Sequence, residues 1–222
     1  MSARPMAELL TGVVPEGFSA TPFDGEAASA HFLAEARKRD AIARFDSAVP
    51  PAMRESDWAH AGMLPNRVQI ERVLAHQVGA KGLLLTGKTG RGKTRSMWAL
   101  MRRLAHDEAR DIRYFHAGDW FSSLQACLSY GRDDARGWVD AVARRPVVFV
   151  DDLGQEAIQT ARSEWAMSWF MRFLDIRVSE RLPLYVTTNL DAQGIAERGA
   201  SSVRGDPMVR RLIEICEPIK FV

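Results

Sequence analysis

Gly87-Lys88-Thr89-Gly90-Arg91-Gly92-Lys93-Thr94 satisfies the pattern G-x-x-x-x-G-K-[ST] without a gap. The pattern has a mechanical reading. Its glycines let the backbone curl so that successive N–H groups point inward at an anion. The lysine ammonium then reaches the β- and γ-phosphates of a nucleoside triphosphate, and the threonine hydroxyl is an oxygen ligand for Mg2+. The flanks agree with this reading. Gly82-Leu83-Leu84-Leu85-Thr86 reads as a short buried strand, and Arg95 through Leu104 has helical periodicity. Strand, loop and helix follow in the order that puts a phosphate at a helix N-terminus. Residues 87–94 are therefore expected to bind ATP, with Lys93 on the phosphates and Thr94 on the metal.

Two further runs belong with the loop. In Val147-Val148-Phe149-Val150-Asp151-Asp152-Leu153-Gly154 an apolar strand ends in two acids. That is how phosphate-loop proteins bring a carboxylate to the metal, so Asp151 is expected to hold Mg2+ through water and Asp152 to orient or deprotonate an attacking water. Taken without the loop, the pair could equally be two aspartates capping a turn. In Leu184-Tyr185-Val186-Thr187-Thr188-Asn189-Leu190 a strand is tipped by polar residues, at the sheet edge where open α/β sheets bind ligands. Asn189 could hydrogen-bond the γ-phosphate or its water, or could simply be a turn residue.

The remaining strand candidates are Ile112–His116, Pro146–Asp151, Leu184–Thr188 and Pro218–Val222, with helical patterns between them. This alternation predicts an α/β fold, a parallel sheet with helices on both faces. Ahead of it, a helix is expected at roughly 65–79. Trp120, Leu124 and Leu128 predict another helix, broken at Tyr130-Gly131-Arg132. Trp165, Trp169 and Phe173 recur at i, i+4, i+8 and predict a stripe buried against the sheet. Residues 1–24 contain three prolines and little periodicity, a flexible lead. Gly25 to about Ala48 reads as a helix carrying Arg37-Lys38-Arg39, and Pro50-Pro51 then breaks the chain. The expected division is a partner-binding segment at 1–46 and one domain at 47–222.

Composition narrows the class. The chain has 222 residues, 46% hydrophobic and 26% charged, in the globular range. No apolar run reaches the length of a membrane span and the first residues lack a signal peptide's apolar stretch, so a cytoplasmic protein without membrane contact is expected. Cys127 and Cys216 have no framework or zinc spacing and are expected to be buried, reduced thiols. Net charge is +2; residues 1–46 hold five basic and seven acidic side chains, leaving 25 against 21 in the remainder (30 − 5 and 28 − 7). Any DNA contact must come from a local patch.

The order of these motifs resembles the AAA+ ATPases. More closely, it resembles the DnaC/IstB group of bacterial and phage helicase loaders and transposition ATPases. The resemblance is carried by Val49-Pro50-Pro51-Ala52-Met53-Arg54 with Ser56-Asp57-Trp58, Asp151–Gly154, Asp175-Ile176-Arg177, Thr187–Leu190 and Gly205 through Arg211-Leu212, and it covers residues 47–222. It implies a five-stranded parallel P-loop sheet ordered 5-1-4-3-2, and a nucleotide site completed by a neighbouring subunit. Arg211 matches the group's arginine finger. The group usually carries a second arginine where this chain has Pro207, and whether Arg204 or Arg210 compensates is open. The residues end directly after the fifth strand, so a site without a C-terminal helical lid, weakly active in a monomer, is expected. In the group, the region matching 117–145 presents a helix to single-stranded DNA, which makes Arg132 and Arg136 the DNA-binding candidates.

The function implied is an ATPase that assembles as a homo-oligomer on single-stranded DNA and loads a hexameric replicative helicase, gripped through residues 1–46. The alternative is an IstB-like ATPase regulator of a DNA transposase, a role that favours duplex binding and a more basic N-terminal module. A small-molecule kinase would need an acceptor pocket and an arginine-rich lid. A nucleotide switch without turnover would be indifferent to loss of Asp152.

Overall fold

The fold follows from five short strands that are mostly too apolar to face water. In a computed structural model, which describes residues 25–54, 63–154, 163–191, 193–195 and 202–222, these are β1 (Gly82–Thr86), β2 (Ile112–His116), β3 (Val147–Asp151), β4 (Leu184–Thr187) and β5 (Cys216–Lys220). Residues 1–24 and Ser56-Asp57-Trp58 lie outside the described residues, as do the side chains of Trp165 and Arg204. Every residue of β3 and β4 is buried, the pattern of parallel strands covered on both faces. All pairings are parallel and the order is β2-β3-β4-β1-β5. This is the expected 5-1-4-3-2 sheet. Pro218, which cannot donate to a ladder, sits in β5 at the sheet edge, where that deficit is tolerated.

The longer helices among the described residues are α1 (Gly25–Ala48), α2 (Arg67–Leu74), α3 (Lys93–His106), α4 (Ala117–Tyr130), α5 (Arg132–Ala143), α6 (Ser163–Ser179) and α7 (Ser202–Ile215). One core lies under α2 and α3. There Trp98 packs against Phe45, Tyr114 and Phe149 at centroid distances of 5.9, 4.5 and 5.4 Å. The other lies under α4 to α7 and centres on Trp120, which meets Phe115, Trp138, Phe170 and Phe173. Trp169 and Phe173 are buried in it, as their spacing required. No described helix is long and apolar enough to cross a membrane.

Several boundaries differ from the sequence expectation, each for a tertiary reason. α2 ends at Leu74 rather than near residue 79, because the chain turns to place His76 against Tyr185, where Arg103 donates to its carbonyl. β5 begins two residues early, since Cys216 to Lys220 pair in register with Gly82 to Thr86. Past the strand, Asn66 exchanges two hydrogen bonds with the Val222 backbone, at 2.9 and 2.7 Å. The chain divides by its internal contacts into units at 1–37 and 38–222, so the larger unit includes the last turns of α1 ahead of residue 47. Ala41, Phe45 and Val49 are buried, and Asp46 meets His106 at 2.9 Å, which ties the last turns of α1 to α3. Cys216 is buried, and burial pushes its thiol well up, but Cys127 is only half-buried, contrary to expectation, because it lies at the margin of the α4 core.

Arg177 is the unusual buried group. Its guanidinium donates to the carbonyls of Ala143 and Arg145, both at 2.9 Å, and to that of Pro183, tying the ends of α5 and α6 to the start of β4. Burial pulls its pKa down to about 10. Arg177→Met would fill the same space and leave three carbonyls without these donors. We expect a loss of about 3 kcal/mol or more of unfolding free energy, read from the shift of the urea midpoint.

Candidate nucleotide-binding site

The loop between β1 and α3 delivers residues 87–94 to the C-terminal edge of the sheet. Gly87 has φ +129°, and a Cβ there would lie 2.1 Å from the Phe221 carbonyl oxygen. Its glycine is thus demanded by the neighbouring backbone just past β5. Gly90 has φ +78° with open space around a would-be Cβ, so only its backbone conformation asks for glycine.

Lys93, at the first position of α3, is buried, and its Nζ donates to the carbonyls of Gly87 and Lys88 at 2.6 and 2.8 Å and to Asn189 Oδ1 at 2.8 Å. All three ammonium hydrogens are thereby engaged. Burial lowers its pKa, and the nearby charges of Asp152 and Asp151 oppose that shift. Asn189 Nδ2 in turn donates to Asp152 Oδ1 at 2.9 Å. The carboxamide therefore bridges ammonium and carboxylate, and this fixes its orientation: only the oxygen can accept from Lys93 and only the nitrogen can donate to Asp152.

The tip of β4 organises the acids. Thr187 Oγ1 donates to Asp151 and accepts from the Asp152 N–H at 2.9 Å. Thr188 Oγ1 donates to the Leu153 carbonyl at 2.6 Å and accepts from Leu190 N–H at 3.1 Å. Asp152 holds φ +60°, an uncommon conformation for a non-glycine residue, which these bonds and Asn189 stabilise. Burial raises the pKa of Asp151, countered chiefly by hydrogen bonds from Thr187 and Thr94. The Thr94 hydroxyl lies 2.9 Å from Asp151 Oδ1. These two oxygen donors are the hard ligands that suit Mg2+, and together with the loop they fit a metal-bound triphosphate.

A cleft of about 390 Å³ is lined by Met53, Met63, Thr89 to Arg95, Asp152 and Asn189. Met53 and Met63 were not assigned roles from sequence. Met53 belongs to the Val49–Arg54 segment, which packs on the core and is held beside the loop by the Arg102 guanidinium, donating to the Met53 and Arg54 carbonyls at 2.9 and 2.7 Å. Thr187 and Thr188 stood in a quoted motif without assigned tasks. Arg211 lies away from this cleft on α7, paired with Asp175 of α6. Arg132 and Arg136 line a different cavity, between α5 and α6, with Trp169 and Arg172.

Neither a family model nor a curated protein matches the sequence. Solved structures do. The chain is similar to the crystal structure of DnaI (24% identity, TM-score 0.58, over 79% of this chain and 95% of that one). It is likewise similar to the DnaC helicase loader (20%, TM-score 0.58, 80% and 96%). The fold is that of the DnaC-like AAA+ proteins. The AAA+ likeness extends to the replication initiator DnaA bound to AMPPCP and single-stranded DNA (14%, TM-score 0.55, 71% and 46%).

The two loop glycines, Gly87 and Gly90, should separate experimentally. Gly90→Ala, which meets only strain, should cost about 1 kcal/mol of stability, whereas Gly87→Ala must also displace backbone and should cost about 3 kcal/mol or more. Urea unfolding of both variants checks the order, and binding of a fluorescent ATP analogue should be weakened in each.

Proposed function

We propose that this protein is a DNA replication accessory ATPase that loads or remodels a hexameric replicative helicase on single-stranded DNA. The observation that carries ATP turnover is the continuous chain Lys93–Asn189–Asp152, set beside the Thr94–Asp151 oxygen pair. Mg2+ at that pair would neutralise charge on the β- and γ-phosphates. Lys93 exchanges one of its three acceptors for a phosphate oxygen. Asp152, aimed by Asn189, accepts hydrogen bonds from the attacking water and takes its proton. The N–H groups of residues 89–94 bind the phosphates at the start of α3.

Arg211 has no part in its own cleft, which supports a role in the cleft of a neighbouring copy. A cation provided in that way stabilises the charge of the transferring phosphoryl and is worth roughly 10³–10⁵ in rate. Weak turnover in the monomer and ATP-dependent self-association follow from it. Arg132 and Arg136 line a cavity of about 400 Å³ together with Asp133, Ser168, Trp169 and Arg172, and two arginines at one opening support their assignment to the backbone of single-stranded DNA. Residues 1–46 are assigned to the helicase. Likeness to DnaI, a helicase loader and an initiator favours this reading over a transposase regulator.

The test is ATPase rate against protein concentration, with and without single-stranded DNA. The rate per subunit should rise with both, collapse in Arg211→Ala and Asp152→Asn, and lose its DNA response in Arg132→Ala/Arg136→Ala. A flat, DNA-indifferent rate untouched by Arg211→Ala would remove the loader mechanism.

A further inference from the structure

Asp175 lies on α6, and its carboxylate accepts a hydrogen bond from Arg211 Nε on α7. The Arg211 Nη1 also reaches the Pro207 carbonyl, one turn earlier, at 3.4 Å. A guanidinium carries five N–H donors in a rigid planar fork. Pairing through Nε and Nη1 engages two of the three nitrogens of that fork and sets its plane. Neither Nη2 hydrogen is committed among the described contacts, so the far edge remains able to meet an anion. A pair directed at both terminal nitrogens would have occupied that edge instead.

The neighbouring charges explain why, among the described residues, Asp175 pairs with Arg211. Arg172, three residues earlier on α6, is taken in a two-point pair by Asp140 of α5, with both bonds at 2.7 Å. Asp175 is therefore not shared with the nearest cation of its own helix. Its side chain is 52% exposed and that of Arg211 31%. A pair this exposed contributes little to folding stability, so its main consequence is to order a long side chain that would otherwise sample many rotamers.

We propose that Asp175 is a positioning residue for Arg211, holding the guanidinium plane so that its terminal nitrogens are presented to the triphosphate bound in a second copy of this chain. The inference rests on the proposed role of Arg211 between subunits. A reacting group misplaced by about 1 Å costs on the order of 10²-fold in rate. Loss of Asp175 should therefore lower kcat by roughly 10–100-fold while leaving KM for ATP unchanged, because Asp175 touches nothing in its own cleft.

Subunit mixing tests this. Asp152→Asn keeps an intact Arg211 but has a dead site; Asp175→Ala keeps an intact site but a loosened Arg211. Each alone should be slow, and mixing them with single-stranded DNA and ATP should restore turnover, since Asp175→Ala sites then face ordered arginines. Asp175→Glu should recover part of the rate without mixing. Full activity of Asp175→Ala alone, or a slow variant that Asp152→Asn fails to rescue, would overturn the proposal. An Arg211→Ala and Asp152→Asn mixture run in parallel separates the two levels. If that control is rescued and Asp175→Ala behaves like the parent, only the positioning role fails. If Arg211→Ala is neutral or never rescued, the shared site fails first and the positioning role with it.

Discussion

A carboxylate buried at the end of an all-apolar strand is the constraint around which this molecule is arranged. Asp151 ends β3 with almost no access to water, and burial alone would favour its neutral form. Two hydroxyls oppose that, Thr94 from the phosphate loop and Thr187 from β4. Each comes from a different segment, so both bonds form only where the loop after β1 and the tip of β4 meet the end of β3. The acid thereby couples sheet assembly to the formation of the site.

The same economy recurs one residue on. Thr187 bonds both Asp151 and the Asp152 N–H, Thr188 holds Leu153, and Asn189 spans Lys93 and Asp152. Three consecutive residues at the tip of β4 thus fix a left-handed turn after β3 and the ammonium at the start of α3. A tip on a rigid strand places these groups more accurately than a free loop would. On the far side of the sheet, Arg177 does structural work of the same kind, closing three carbonyls at the β4 entrance.

Much of this was legible in the chain itself. The strands read as apolar runs because both faces of a parallel sheet are covered, and their order was implied by the family resemblance. That the loop would meet Asp151, Asp152 and Asn189 was legible because phosphate and metal chemistry constrains residue type at short spacing. What escaped were groups whose role depends on distant partners. Met53 and Met63 are ordinary methionines until Arg102 and the loop define a cleft beside them. Gly87 belongs to the phosphate-loop pattern, but nothing local tells that its lack of a side chain also answers to Phe221, which is 134 residues away (221 − 87). The end of α2 was misplaced because helical periodicity says nothing of the contact between His76 and Tyr185.

The sequence alone therefore determined the chemistry: a phosphate loop, two acids and an amide, in the order that a parallel α/β sheet brings to one edge. Its local patterns have short range, and hydrogen-bonding and burial rules act on them directly. Tertiary structure decided orientation: which way the Asn189 amide faces, why Asp152 holds a positive φ, and that Arg211 is gripped by Asp175 outside its own cleft. Those outcomes depend on side chains tens of residues apart meeting within about 3 Å, the reach of a hydrogen bond, and no local pattern encodes such a meeting.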